Sequence, residues 1–199
     1  MELWEELREE ALAEVSIETD LRIEEKAVVT GAGDSYAAGL VLAGSLPRSV
    51  RVVDPLTAAT NDFDEPLLVA VSVSGKTARV LDAVKFQKSR GKKVIAVTAN
   101  ESSELVKLAH ETLILPFKGK PGVPGALTYL ETIVALHKLF GVEIEDSKRI
   151  TRFELREGTA FLGCGPGRGI AYFAYLKLAE TFGWWSASEN LELFAHSPM

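Results

Sequence analysis

Five short runs rich in Val, Ile, Leu and Ala recur at 26–31, 50–54, 67–72, 93–98 and 112–116, and their apolar residues are continuous rather than alternating. A strand with one wet face alternates polar and apolar side chains, so continuous runs mark strands covered on both faces. Helical stretches lie between them, at 35–46 with its small residues, at 77–90 and at 103–110. Parallel strands need crossover connections, and helices alternating with buried strands give a sheet between two helical layers. The expectation is an α/β fold: a three-layer, doubly wound parallel sheet of five strands.

With 199 residues, 47% of them hydrophobic, the chain can bury a real core and is too apolar to be disordered. Residues 2–15 carry Leu3, Trp4, Leu7, Ala11 and Val15 near the helical period, an amphipathic helix that must dock on something. Gly119, Pro121, Gly122, Pro124 and Gly125 mark a loop after the fifth strand. A helix with Leu127, Leu130, Ile133, Val134 and Leu136 on an apolar stripe runs from it to about 140, then a polar connector at 142–157. A strand at 158–163, a Gly-rich turn, a helix at 170–182 and a short strand at 185–187 look like the start of a second α/β unit. The predicted division is 1–145 and 146–199.

Asp and Glu outnumber Lys and Arg by 28 to 22, a net charge of -6, which argues against tracking nucleic acid by charge. Cys164 has no partner for an internal disulfide, and no Cys and His cluster has zinc-ligand spacing. No apolar run approaches the roughly 20 residues of a membrane span. The N-terminus reads as acidic helix, not as a signal peptide. A soluble, cytoplasmic protein without metal, membrane or nucleic-acid partner is expected.

In an open parallel sheet, ligands bind beyond the carboxyl ends of the strands, where helix N-termini aim their N–H groups into the crevice. Three segments sit there. Gly31-Ala32-Gly33-Asp34-Ser35-Tyr36 follows strand one; it holds G-x-G, but Tyr36 replaces the third glycine of the dinucleotide fingerprint. Asp54, ending strand two, stands about where a ribose-binding acid would be, so a dinucleotide site stays open beside a plain strand-to-helix turn. Ser72-Val73-Ser74-Gly75-Lys76-Thr77 follows strand three with three hydroxyls around a glycine, which suits a phosphate monoester held without a metal. It lacks P-loop spacing, and the competing reading is an ordinary N-cap by Ser74. Val97-Thr98-Ala99-Asn100 is weaker, with capping by Asn100 as plausible as ligand contact.

S-x-S-G-x-T after strand three, with the small-residue turn after strand one, resembles the sugar isomerase (SIS) domain family of phosphosugar-binding proteins over residues 26–141. The resemblance implies a SIS-type sheet in flavodoxin-like order, and Ser35, Ser72, Ser74 and Thr77 as phosphate-binding residues. The tail, from Gly167-Arg168-Gly169 through Glu180 to His196-Ser197-Pro198, looks like the start of the second domain of two-domain members. Among these, the archaeal phosphoglucose/phosphomannose isomerases have a catalytic Glu and His sixteen residues apart, the separation of Glu180 and His196.

That resemblance implies aldose–ketose isomerisation of a hexose 6-phosphate, glucose or mannose 6-phosphate to fructose 6-phosphate, through a metal-free enediol and with no cofactor. Such chemistry needs a carboxylate to move a carbon-bound proton and a group titrating near neutrality to move the ring-oxygen proton. Glu180 and His196 are cast in those roles. The archaeal isomerases carry an arginine before the last helix of domain one; here Gly33, Lys118 and Lys120 are the candidates for substrate contact and charge stabilisation, and lysine lacks the arginine fork. The second unit, with Tyr172, Phe173, Tyr175, Trp184 and Trp185, is too small to bury its apolar face alone. A homodimer with shared active sites is therefore expected, one copy's His196 reaching the other's phosphate loop. A non-catalytic phosphosugar sensor or partner subunit is the alternative.

Overall fold

The computed structural model describes residues 3–117, 119, 124–144 and 154–196. Strands β1 (Ala27–Thr30), β2 (Val50–Val53), β3 (Leu67–Val71), β4 (Lys93–Thr98) and β5 (Glu111–Ile114) form one sheet in the order β2-β1-β3-β4-β5. All four pairings are parallel. The five-stranded doubly wound sheet expected from the continuous apolar runs, and its flavodoxin-like order, are both present. Every residue of β1 and β3 is buried, while the edge strands β2 and β5 are partly exposed.

The burial explains why the runs do not alternate. Ala27, Val29, Leu67, Val69, Val71, Ile95 and Val97 point into one core, whereas Val28, Leu68, Ala70, Val94 and Ala96 point into a second on the opposite face. Helices α2 (Asp34–Ser45) and α6 (Leu127–Leu139) supply Ala38, Leu42, Ala135 and Leu136 to the first. Helices α3 (Pro55–Thr60), α4 (Ala78–Ser89) and α5 (Glu104–Leu108) supply Ala58, Val80, Val84 and Leu105 to the second. Each fully buried aliphatic side chain contributes about 1.5–3 kcal/mol, so both layers are needed.

Helix α1 (Leu3–Leu12) docks through a polar contact rather than through the expected apolar stripe, of which Leu7 is half-buried and Ala11 exposed. The buried Glu10 carboxylate accepts the N–H groups of Ala126 and Leu127 at 2.9 and 3.1 Å and so caps α6. Helix α3 is an element that the sequence reading did not anticipate. Asp54 caps it, accepting from the N–H of Leu56 at 2.9 Å and of Thr57 at 3.0 Å, with Pro55 in the first turn. Asp54 is thus committed to a helix end, which removes the acid on which the dinucleotide reading leaned.

Beyond these lie β6 (Ala160–Gly163), α7 (Gly167–Phe182), β7 (Ala187–Asn190) and α8 (Leu191–Ala195). β6 and β7 pair as a separate two-stranded parallel sheet. The last strand begins two residues later and ends three residues later than expected, and α8 has no counterpart in the sequence-based expectation. Two glycines dock this unit on α2. A Cβ on Gly169 would fall 2.4 Å from the Ala37 carbonyl, and one on Gly44 would fall 2.2 Å from the Gly165 backbone, so the elements meet backbone to backbone. Phe173 of α7 stacks on Tyr129 of α6 with centroids 3.8 Å apart. One side of the second unit is therefore covered within the same chain, while Leu162, Ile170, Phe182, Leu191, Leu193 and Trp185 (68%) stay exposed. Among the described residues, no helix is long and apolar enough to cross a membrane.

Candidate functional site

The turn from β1 into α2 is built on two glycines. Gly33, at φ 57°, occupies the N-cap position, and a Cβ on Gly31 would lie 2.6 Å from Ser35 Cβ. This tight turn lays the first residues of α2 across the carboxyl end of the sheet. Asp34 and Ser35 come with them, and Ser35 is buried at 7% exposure.

The loop from β3 into α4 is wrapped around Gly75, which has φ 64° and lies so close to Ser103 that a Cβ would fall 2.2 Å from its Oγ. The N-cap of α4 is Thr77, not Ser74, and no side chain closes it. Instead the Thr77 and Ser72 hydroxyls lie 2.9 Å apart, and Ser74 Oγ accepts the Lys76 N–H at 3.3 Å. The α4 helix end thus keeps N–H groups that no side chain caps, beside three hydroxyls, an arrangement that attracts an anion. The loop after β4 braces it: Asn100 Nδ2 donates to the Ser74 carbonyl at 3.1 Å, and Thr98 Oγ1 donates to the Val73 carbonyl at 3.1 Å. Ser103, rather than Asn100, caps α5.

These loops border an open cavity of about 500 Å³. Ser35, Ser72, Ser74 and Thr77 line it together, and Glu180 of α7 forms part of the same wall. Ala32 and Asp34, the neighbours of Gly33, line it as well, while Gly33 itself shapes the turn. Lys118 and Lys120 lie outside the described residues; Gly119, between them in the chain, is on the wall. His196 does not line the cavity. It is exposed at the end of α8, its Nε2 3.4 Å from Glu192 Oε1, so within one chain the Glu180–His196 pair expected from spacing is not assembled.

Near Glu180 stand two charged residues without an assigned role in the sequence-based expectations, its partner Lys177 and, bonded to Lys177, Asp34. Lys177 Nζ donates to Asp34 Oδ2 at 2.8 Å and also to Glu180 Oε2, and it sits 5.1 Å from the centroid of the Phe173 ring. Lys177 and Glu180 are neighbours on a helix at i,i+3, a legible signal, but Asp34 is 143 residues away in the chain. Burial pushes the Asp34 carboxyl above its ordinary range, and the Lys177 hydrogen bond and charge oppose this. Behind the cavity, burial raises Glu131 of α6 to about 7; the Phe117 N–H bond opposes the rise and the nearby Glu10 charge adds to it. Thr128 and Thr132 of α6 complete the wall. Among the described residues, no cluster of His, Cys, Asp and Glu could hold a metal ion.

The model of the SIS domain matches residues 20–141, from before β1 to the end of α6. The chain belongs to the SIS domain family. The cavity lies at the strand ends of this SIS domain, and Glu180 reaches it from beyond the matched segment. The SIS chain is 34% identical over 146 residues to the glutamine–fructose-6-phosphate aminotransferase (isomerizing) of Aeropyrum pernix, a match covering 70% of this chain and 24% of the relative. It thus spans about a quarter of the length of that relative. Among solved structures, glucosamine-6-phosphate deaminase of Thermotoga maritima superposes with a TM-score of 0.72 at 22% identity, over 88% of this chain and 64% of the other. The C-terminal domain of glucosamine-fructose-6-phosphate aminotransferase from Francisella tularensis also gives 0.72, at 17% identity, over 98% of this chain and 71% of the other. At those identities the structural matches speak for the fold.

Proposed function

We propose that this SIS chain is a cytoplasmic enzyme that isomerises a hexose 6-phosphate between aldose and ketose, glucose or mannose 6-phosphate to fructose 6-phosphate, through an enediol. The observation that carries the reading is the union, in one cavity, of the hydroxyl loop with the carboxylate of Glu180. Ser35, Ser72, Ser74, Thr77 and the first N–H groups of α4 take the phosphate. The sugar then extends toward α7, where Glu180 carries a proton between the two carbons that exchange oxidation state. Lys177, donating to Glu180, fixes the orientation of that carboxylate. The name of the Aeropyrum relative supports fructose 6-phosphate as the sugar.

The ring-oxygen proton falls to His196 of the partner subunit in a homodimer. Support comes from the exposure of His196 away from its own cavity, on the same unit as exposed Ile170, Phe182, Trp185, Leu191 and Leu193. In this arrangement residues 1–145 form the sugar-phosphate domain and 146–199 a partial second unit at the dimer interface. A monomeric mass in sedimentation would overturn it.

A second reading, a phosphosugar-binding protein without turnover, is favoured by one observation: in the single chain Glu180 is engaged by Lys177 and has no imidazole near it in the cavity. A coupled isomerase assay across hexose phosphates separates the two. The expected result is turnover that falls at least a hundredfold in Glu180→Gln and strongly in His196→Ala, in line with the loss of a general acid–base group, about 10²–10⁴-fold. Turnover indifferent to both changes refutes the catalytic assignment, and tight fructose 6-phosphate binding without turnover establishes the sensor.

A further inference from the structure

Asp34 has no task in the reaction outlined above, yet it stands beside Ser35 in the first turn of α2 and lines the same cavity. A carboxylate at that place repels a bare phosphate, and the repulsion is stronger in a half-buried site than in water. Its two oxygens are used differently. Oδ2 is held by Lys177 Nζ at 2.8 Å, whereas Oδ1 is buried and has no hydrogen-bond partner among the described residues. A buried acceptor without a donor is costly, the more so when charged, and the cost is removed when a ligand brings a donor to it. The cavity therefore has two unlike regions: a hydroxyl loop whose lining residues Ser72, Ser74 and Thr77 carry no charge, and a wall where Asp34, Lys177 and Glu180 together carry one net negative charge.

We infer that Asp34 is a specificity-determining residue, whose carboxyl lines the cavity and turns its unpartnered Oδ1 out to accept a hydrogen bond from a hydroxyl or ammonium on the sugar end of a ligand seated by its phosphate in the hydroxyl loop. Lys177 keeps its bond to the other oxygen, Oδ2. The result is a cavity that prefers a phosphorylated polyhydroxy compound to the bare anion. The inference rests on the sugar-phosphate reading of the cavity and adds the residue that reads the sugar.

Calorimetric titration of the full chain with fructose 6-phosphate, glucosamine 6-phosphate and inorganic phosphate tests it, on wild type, Asp34→Ala and Asp34→Asn. Removing a hydrogen bond to a charged group weakens binding about tenfold to a hundredfold, so Asp34→Ala should lose fructose 6-phosphate affinity by that factor. Inorganic phosphate should bind each variant as well as wild type or better, because a negative charge has gone. Asp34→Asn keeps the shape and reports the same change in ratio if the alanine variant does not fold. A larger loss for glucosamine 6-phosphate than for fructose 6-phosphate identifies the donor as ammonium, and an equal or smaller loss identifies it as hydroxyl. Equal weakening of sugar phosphate and phosphate, or unchanged fructose 6-phosphate affinity, overturns the inference. So does a wild type that binds fructose 6-phosphate no better than phosphate, which leaves the phosphate loop standing. A wild type that binds none of the probes removes the sugar-phosphate reading, and this inference with it.

Discussion

Glu131 should make this protein less stable as the pH rises toward neutrality, and replacing it should abolish that part of the pH dependence. The side chain is 4% exposed on α6, and burial lifts its pKa from an ordinary 4.5 to about 7. Below pH 4.5 it is protonated in both the folded and the unfolded chain and contributes no difference. Between pH 4.5 and 7 the unfolded chain releases the proton while the folded chain keeps it, so stability falls with rising pH and the loss is complete above 7. At about 1.36 kcal/mol per pH unit, the gap from 4.5 to about 7 amounts to about 3 kcal/mol. Glu131→Gln is neutral throughout and its Oε1 can still accept the Phe117 N–H, so the variant should gain about 3 kcal/mol relative to wild type between pH 4 and pH 8. Urea unfolding followed by tryptophan fluorescence across that range measures the difference, and other titrating groups cancel between the two proteins. Glu10→Gln, which removes the neighbouring charge, should move the midpoint to lower pH. A stability difference between wild type and Glu131→Gln that is flat with pH would show that Glu131 is not buried as a proton-holding carboxyl, and the reasoning would fail.

Two further substitutions test the scaffold of the site. Gly44→Ala places a methyl 2.2 Å from the Gly165 backbone and should push the β6–α7 unit off α2, at a cost of about 1–3 kcal/mol, with a shift in Trp184 and Trp185 fluorescence and a lower melting temperature. Melting unchanged would mean that α2 and α7 do not meet there. Asp54→Ala removes the α3 cap and should cost about 1 kcal/mol in urea unfolding while leaving fructose 6-phosphate binding unchanged, whereas a cofactor-binding acid would show its loss in ligand binding instead.

The five strands were legible because each is a local record of burial: β1 and β3 are buried at every position, and apolar at all but Thr30, since helices cover both faces. The Ser72–Thr77 loop was legible for a related reason, since strand, hydroxyls, glycine and helix start are consecutive in the chain. Asp54 shows the limit of such reading. Its place at a strand end suits a ribose acid and a helix cap equally, and Pro55 in the first turn of the unforeseen α3 tips it to the cap. The later position of β7 has a similar origin: Ala187–Asn190 reads ASEN and, among the described residues, pairs with β6 alone, so no buried apolar run marks its bounds.

What the sequence by itself determined is the three-layer sheet and the hydroxyl cradle at the end of β3, because both depend on residues within a few positions of one another. The tertiary structure decided what stands opposite the cradle. Gly44 and Gly169 let α7 approach α2 at backbone distance, which carries Lys177 to Asp34 and Glu180 to the cavity wall, while α8 leaves His196 exposed elsewhere. A spacing of sixteen residues between Glu180 and His196 describes the chain and not the distance between side chains. The turn at Gly183 and the strand β7 separate the two, so the meeting of carboxylate and imidazole is a matter of packing that no local pattern records.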